Sequence, residues 1–434
     1  MKRNTKKFNK TLGCYYPSFF SIEADISASM SNLRIEDLCH YEQSVLFHEY
    51  VHFMQDFMTT SGLNNIYCIN ESFREIATNY ATQDPFLVPV VWSSNQNNVR
   101  LNNTLNQVVS GGDDDYIYLN IIDISTHSYN DEDLNAINHP AINQICLHTN
   151  NGTLLFGERE ISESMAFILE QLCTRDYAPS PEYPYRAAEK VVKFVCHNGF
   201  EDNLLNILAL CDISLMTLNP GDFFYNCINQ IAKGTLHISR PEDLYDYFYN
   251  LMGAVNDNNV VTTFQFFVDR ANLAKVALKS YINQPQINAT LYPWIDMVFD
   301  KGIDIRQHDR YFFIKLARNG YIIQNQIFAK LFNAVGSPLI QNNQGEFGRF
   351  PSNPDYGDVF QYITAVRAVY EMFYGIFTCS LIDFCMQSIG QTNIQINSYC
   401  IGAPWRRCTD QNLCPVAMLL RHRNLARNIP TLRI

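Results

Sequence analysis

The stretch SVLFHEYVHFMQDF, Ser44–Phe57, places His48 and His52 four residues apart and puts Glu49 directly after the first histidine. On an α-helix residues i and i+4 share a face about one turn apart, so both imidazoles can be aimed at a common ion. Glu49 lies roughly 100° further round the axis, too far aside to be a ligand yet close enough to reach a water beside that ion. Zinc held by two histidines and one further protein ligand keeps a fourth position for water, lowers that water's pKa towards ~7 and polarises a carbonyl. Glu49 is then the general base that takes a proton from water and passes it to a leaving amine. The competing explanation is a core helix with hydrogen-bonded histidines. It requires two imidazoles and a carboxylate buried close together, which costs on the order of several kcal/mol without strong partners.

This HExxH arrangement, with uncharged residues between the histidines and apolar flanks in VLFHEYVHFM, resembles the zincin metallopeptidases. Metzincins place a third histidine ten residues after the first, following a glycine. The corresponding positions here are Met58 and Gln55, which excludes that class. Gluzincins use a glutamate on a later helix, followed three residues on by a small residue, and ESMA, Glu163–Ala166, looks like that pattern. The resemblance implies zinc held by His48, His52 and Glu163, with Glu49 as general base. Glu160 and Glu170 can share the helix face of Glu163, whereas Glu158 sits in the preceding loop. If none of these carboxylates serves, His139, His148 or His197 is the place to look. A gluzincin also usually carries a tyrosine or histidine that donates to the oxyanion, for which Tyr183, Tyr185 and His197 are the candidates. With 25 tyrosines in the chain, aromatic packing competes as the explanation for Tyr183 and Tyr185.

The elements that must position these residues follow from pattern. Apolar positions Val45, Leu46, Phe53 and Phe57 predict a helix from about Leu38 to Thr59, with a stop at Gly62. PFLVPVVW (Pro85–Trp92) and DYIYLNIIDIS (Asp115–Ser125) read as strands, and the apolar runs around TNNG predict a hairpin turning near Asn150–Gly152. A second helix is expected to begin near Ser162, its candidate N-cap, with Ile161, Met165, Ile168 and Leu172 on one face. Beyond the linker APSPEYPY the periodicity is almost wholly helical, up to a long central helix at Asp358–Met386, with a lone hairpin at Leu339–Phe350. The expected class is α+β: a zincin-like catalytic region over residues 1–184, with a small sheet and two active-site helices, then a mainly helical region over 185–434. That helical part is expected to cover the cleft.

The chain has 434 residues, 47% of them hydrophobic, which is ample material for a core. A formal net charge of −11 leaves no footprint for nucleic acid, and only MKRNTKKFNK at the start forms a basic run. That run leads into TLGCYYPSFF rather than an apolar stretch, and Asp358–Met386 is interrupted by Gln361, Arg367, Glu371 and Asp383. No secretory signal and no membrane span are therefore expected. The thirteen cysteines are an odd number and scattered, which fits free thiols in the cytoplasm. Cys400, Cys408 and Cys414, with His422 beyond, are spaced like the start of a CCCH zinc finger. The family's histidine would fall at Met418, so ordinary buried thiols are the main expectation there.

The function these readings favour is a zinc metallopeptidase acting on a peptide or protein of the cytoplasm. The alternatives are a catalytically silent helical scaffold, and a zinc hydrolase of a small amide.

Overall fold

The computed structural model describes residues 12–30, 34–76, 78, 87–91, 97–112, 115–130, 141–177, 180–256, 259–281, 285–350, 357–387, 396–410, 414–422 and 431–432. An antiparallel pair comes first, β1 (Gly13–Tyr16) and β2 (Ser21–Ala24), in register from Gly13↔Ala24 to Tyr16↔Ser21. The helix α1 (His40–Met58) follows. Glu42 anchors its start by accepting the Cys39 N–H at 3.1 Å, a bond that satisfies one of the orphan donors of a helix N-terminus. Apolar and polar residues alike are buried on nearly every face of α1, so this helix runs through the core.

The expected stop at Gly62 is corrected. The break lies at Thr59, whose backbone is extended and whose hydroxyl accepts the Gly62 N–H at 3.1 Å, capping a second helix, α2 (Thr60–Glu75). Gly62 sits inside α2, and the position requires glycine because a Cβ there would come within 2.4 Å of the Gln55 carbonyl.

Of the strand expected at Pro85–Trp92, the structure shows β3 (Leu87–Val88), paired in parallel with Thr431–Leu432. After α3 (Asn97–Ser110), the strands β4 (Ile121–Tyr129), β5 (Ile142–Thr149) and β6 (Gly152–Phe156) form an antiparallel sheet in that order. The β5–β6 turn falls where TNNG predicts it, whereas β4 starts at Ile121 rather than Asp115. Helix α4 (Glu158–Cys173) begins before Ser162. Gly157 is its cap residue, and Glu160 accepts the Gly157 N–H at 2.8 Å. Ser162 instead donates to the Arg159 carbonyl from within the first turns.

Past the Pro-rich linker the helices are α5 (Ala187–Val195), α6 (Leu204–Leu215), α7 (Pro220–Ala232) and α8 (Pro241–Tyr249). A hairpin that helical periodicity did not anticipate, β7 (Met252–Asn256) with β8 (Asn259–Thr262), precedes α9 (Thr263–Tyr281). Then come α10 (Pro285–His308), α11 (Phe312–Arg318) and α12 (Gln326–Val335). The hairpin of β9 (Leu339–Gln341) and β10 (Phe347–Gly348) does not stand alone. β9 pairs in parallel with β2, giving a four-stranded sheet in the order β1-β2-β9-β10. The single helix expected at Asp358–Met386 is two, α13 (Gly357–Phe373) and α14 (Ile382–Gln387), with Gly375 between them at φ +90°. Two short helices, α15 (Tyr399–Gly402) and α16 (Pro415–His422), and the strand β11 (Thr431–Leu432) complete the described chain.

The class is α+β, as expected: mostly helix with small sheets. One apolar core takes residues from Tyr15 to Leu420, on both sides of residue 184. α1 is held at its far end by a buried ion pair. Arg306 and Asp212, both fully buried, are 2.6 Å apart, and Arg306 Nε donates to the Met58 carbonyl at 2.7 Å. Tyr245 donates to the same Asp212 at 2.9 Å. The terminal carbonyl of α1 thus finds a partner on α10. No described helix is long and apolar enough to cross a membrane.

Candidate metal centre

Helices α1 and α4 pack together, with Ala166 and Met165 of α4 fully buried. The contact brings Glu163 opposite the two histidines of α1. His48 Nε2 and His52 Nε2 are 3.3 Å apart, and Glu163 Oε2 lies 3.3 Å from each of them. Zinc–ligand bonds of ~2.0–2.1 Å at a tetrahedral angle separate two ligand atoms by roughly 3.3–3.4 Å. The triangle has the edge length of a tetrahedral N₂O zinc site. Among the described residues, this is the group of three or more histidine, cysteine or acidic side chains whose ligand atoms all lie within 4.8 Å of one another.

The opposite side of each ring shows why Nε2 is the nitrogen that a neutral imidazole turns to a ligand here. His48 Nδ1 is 2.9 Å from Glu170 Oε2, and a carboxylate can only accept, so Nδ1 carries the proton. His52 Nδ1 is 2.8 Å from Gln55 Oε1, while the Gln55 amide donates to the Ser162 carbonyl at 3.0 Å. That second bond settles the amide orientation and makes His52 Nδ1 a donor too. Two Nε2 atoms and a carboxylate oxygen therefore face one point, where either a second proton on the imidazoles or a metal cation satisfies the carboxylate.

The local charge has the same sign. Glu49, Glu163 and Glu170 surround two imidazoles, and the nearby Arg159 is engaged by Asp115 at 2.6 Å and by the Gly112 carbonyl at 2.8 Å. Burial raises the Glu163 pKa, but the two histidines outweigh it and hold the carboxyl well below its ordinary value. For His48 burial acts to lower the pKa, and Glu163 and Glu170 more than reverse it. The His52 pKa is raised in the same way, with burial overcome chiefly by Glu163.

Glu49 is 6% exposed and lies against β1. It accepts the Tyr15 backbone N–H, and Gly13 passes so close that a Cβ would be 2.6 Å from Glu49 Oε1. Burial raises the Glu49 pKa, the two histidines pull it down and Glu163 pushes it up; the net shift is upward. A carboxyl group with a raised pKa is suited to exchanging a proton near neutral pH.

Of the oxyanion candidates, Tyr185 stands beside the site, its ring centroid 5.6 Å from that of His48. Burial and the neighbouring Glu163 and Glu49 all raise its pKa, which keeps the phenol protonated and able to donate. Tyr183 is corrected to a structural part, since its buried hydroxyl donates to the Leu155 carbonyl at 2.6 Å. His197 is exposed beyond the end of α5. Of the alternative ligands, His148 is held by Ser125 and Thr153 on the β4–β6 sheet, and His139 lies outside the described residues. Glu160 is fully buried and serves the backbone of Gly157 and Gly112, while Glu158 accepts from Asn65.

Sequence reading missed three contributors, Gln55 behind His52 and Gly13 and Tyr15 over Glu49, and it named Glu170 as an alternative ligand rather than as the partner of His48 Nδ1. Gln55 was accessible in principle, being three residues after His52 on the same helix. Nothing in the sequence around Gly13 points to Glu49. Comparison with protein-family models, curated proteins and solved structures returns no match.

Proposed function

We propose that this chain is a zinc-dependent peptidase with a gluzincin-like centre, in which His48, His52 and Glu163 hold the metal. The observation that carries this reading is the 3.3 Å triangle of two Nε2 atoms and a carboxylate oxygen, with both opposite ring nitrogens occupied by acceptors. Bound there, zinc supplies Lewis-acid polarisation of a carbonyl and acidifies water.

The chain's own residues do the rest. Glu49 takes a proton from water at its carboxylate and returns it to the leaving amine nitrogen. Tyr185 donates its phenolic hydrogen to the oxygen that gains negative charge. Glu170 and Gln55 hold the imidazoles in the tautomer that leaves Nε2 open. β1 favours a peptide over a small amide, because among the described residues it is an edge strand, and it passes directly over Glu49 where it can offer backbone groups to an extended chain. The substrate-binding edge in this reading is β1.

The test is metal content and chelator-sensitive hydrolysis of a mixed peptide library by the full chain. Zinc bound at this centre, cleavage abolished by chelator and restored by zinc, and cleavage lost in Glu49→Gln are expected. A chain that binds no metal at His48 and His52, or whose melting temperature and activity ignore both zinc and chelator, is a scaffold instead.

A further inference from the structure

Four of the thirteen cysteines, Cys379, Cys385, Cys400 and Cys414, line one small cavity of about 10 Å³. It lies where the α13–α14 connection, α14, α15 and the start of α16 meet. All four side chains are buried. The segments are laced together around the cavity, with the Cys379 N–H donating to the Cys400 carbonyl at 2.8 Å. Two donors are aimed at the sulfurs themselves. Arg407, 4% exposed, places Nη1 3.0 Å from Cys400 Sγ while Asp410 holds its Nε at 2.8 Å, and the Ala417 N–H points at Cys414 Sγ from 3.4 Å.

Buried cysteines are often small apolar fillers, and Cys68, Cys173 and Cys211, each on its own helix, fit that description. Four on one cavity do not. A protonated thiol is a weak acceptor for a buried guanidinium, whereas a thiolate makes the bond charge-assisted. A soft S₄ donor set selects zinc among the common divalent ions, and a cavity of this size admits one ion.

We propose that Cys379, Cys385, Cys400 and Cys414 form a tetrathiolate site for a structural zinc ion, separate from the His48–His52–Glu163 centre and independent of its function. Each thiol gives up its proton on binding, so the site takes one Zn²⁺ and releases four protons, leaving a net charge of −2 that Arg407 partly offsets. No three of these sulfurs lie within 4.8 Å of one another, unlike the ligand atoms of the first centre, so closing four Zn–S bonds requires these side chains to rotate inward. The region has use for such a clamp, since α14 has six residues and α15 four, too short to be stable alone. The assignment also replaces the CCCH reading. The site keeps Cys400 and Cys414 of that spacing and takes Cys379 and Cys385 in place of Cys408 and His422; Cys408 is buried but does not line the cavity, and the His422 side chain lies outside those described.

Cobalt substitution of the full chain tests the site, because thiolate-to-cobalt charge transfer gives a near-ultraviolet band that histidine and carboxylate ligands do not. Wild type is expected to bind about two cobalt ions per chain and to show the band. His48→Ala with His52→Ala, and separately Cys408→Ser, should keep the band, whereas Cys385→Ser with Cys400→Ser should lose it. Absence of the band in wild type, its survival in the double serine variant, or an iron–sulfur chromophore in the purified protein would overturn the proposal. Should the serine variant not fold, wild type decides alone. Chelator should expose four additional thiols to a thiol reagent as zinc leaves, and no chelator-dependent thiols means no such site.

Discussion

Both nitrogens of His48 are addressed by one helix: Glu163 Oε2 lies 3.3 Å from Nε2, and Glu170 Oε2, two turns further along α4, lies 2.9 Å from Nδ1. The carboxylates have the same chemistry and different expected roles. Glu163→Ala removes one of three ligands and should abolish tight zinc binding. Glu170→Ala removes the orienting bond and should weaken affinity by ~10- to 100-fold, as loss of such an outer partner typically does. Competition with a calibrated chelator measures both. Equal effects of the two substitutions would contradict this division of labour.

Glu49 should be separable from metal binding. Glu49→Gln should leave zinc stoichiometry unchanged and reduce kcat by about 10²- to 10⁴-fold, the usual contribution of a general base. Gly13→Ala should act on the same group indirectly, since its Cβ would meet Glu49 Oε1, Cγ and Cδ all within 3.0 Å. We expect zinc retained and kcat lowered in this variant as well. Unimpaired turnover in Gly13→Ala would show that the carboxylate moves aside at no expense.

Tyr185→Phe tests the donor role. The ring packing against His48 and Phe167 survives, and only the hydroxyl is lost. A fall in kcat of roughly 10²-fold or more, with KM and zinc content little changed, is expected of an oxyanion donor. A change confined to KM would assign the hydroxyl to substrate binding.

Asp56 gives a stability prediction with a definite sign. Its carboxyl is buried and accepts the Ser18 N–H and the Tyr15 hydroxyl, both at 2.7 Å. Burial pushes its pKa from 3.8 to about 7, against the lowering effect of those two bonds. The folded chain therefore keeps a proton that the unfolded chain releases above pH ~4. The contribution of this group is fully present below pH ~4 and is lost as pH rises through about 7. Asp56→Asn keeps a carbonyl acceptor and cannot ionise. The melting temperature of wild type minus that of the variant should fall steadily between these two pH values, and a flat difference would contradict the assignment.

The amino-acid sequence by itself determined what lies within one helical turn. The i, i+4 spacing of His48 and His52, with Glu49 between them, sets their geometry as soon as α1 forms, and 3.6-residue periodicity marked the chain beyond the linker as mostly helical. Glu163 was legible only through its resemblance to a motif, because a glutamate 115 positions from His48 has no local geometric relation to it. Packing decided the rest. It chose Glu170 and Gln55 as the partners of Nδ1, Tyr185 over Tyr183 as the phenol beside His48, and β1 as the strand over Glu49. It also joined β2 to β9 across more than 300 residues and broke α1 from α2 at Thr59. Backbone periodicity propagates a side chain's direction for a turn or two. Beyond that distance, which groups meet depends on how whole faces of helices and strands fit against one another, and no single stretch of sequence contains that information.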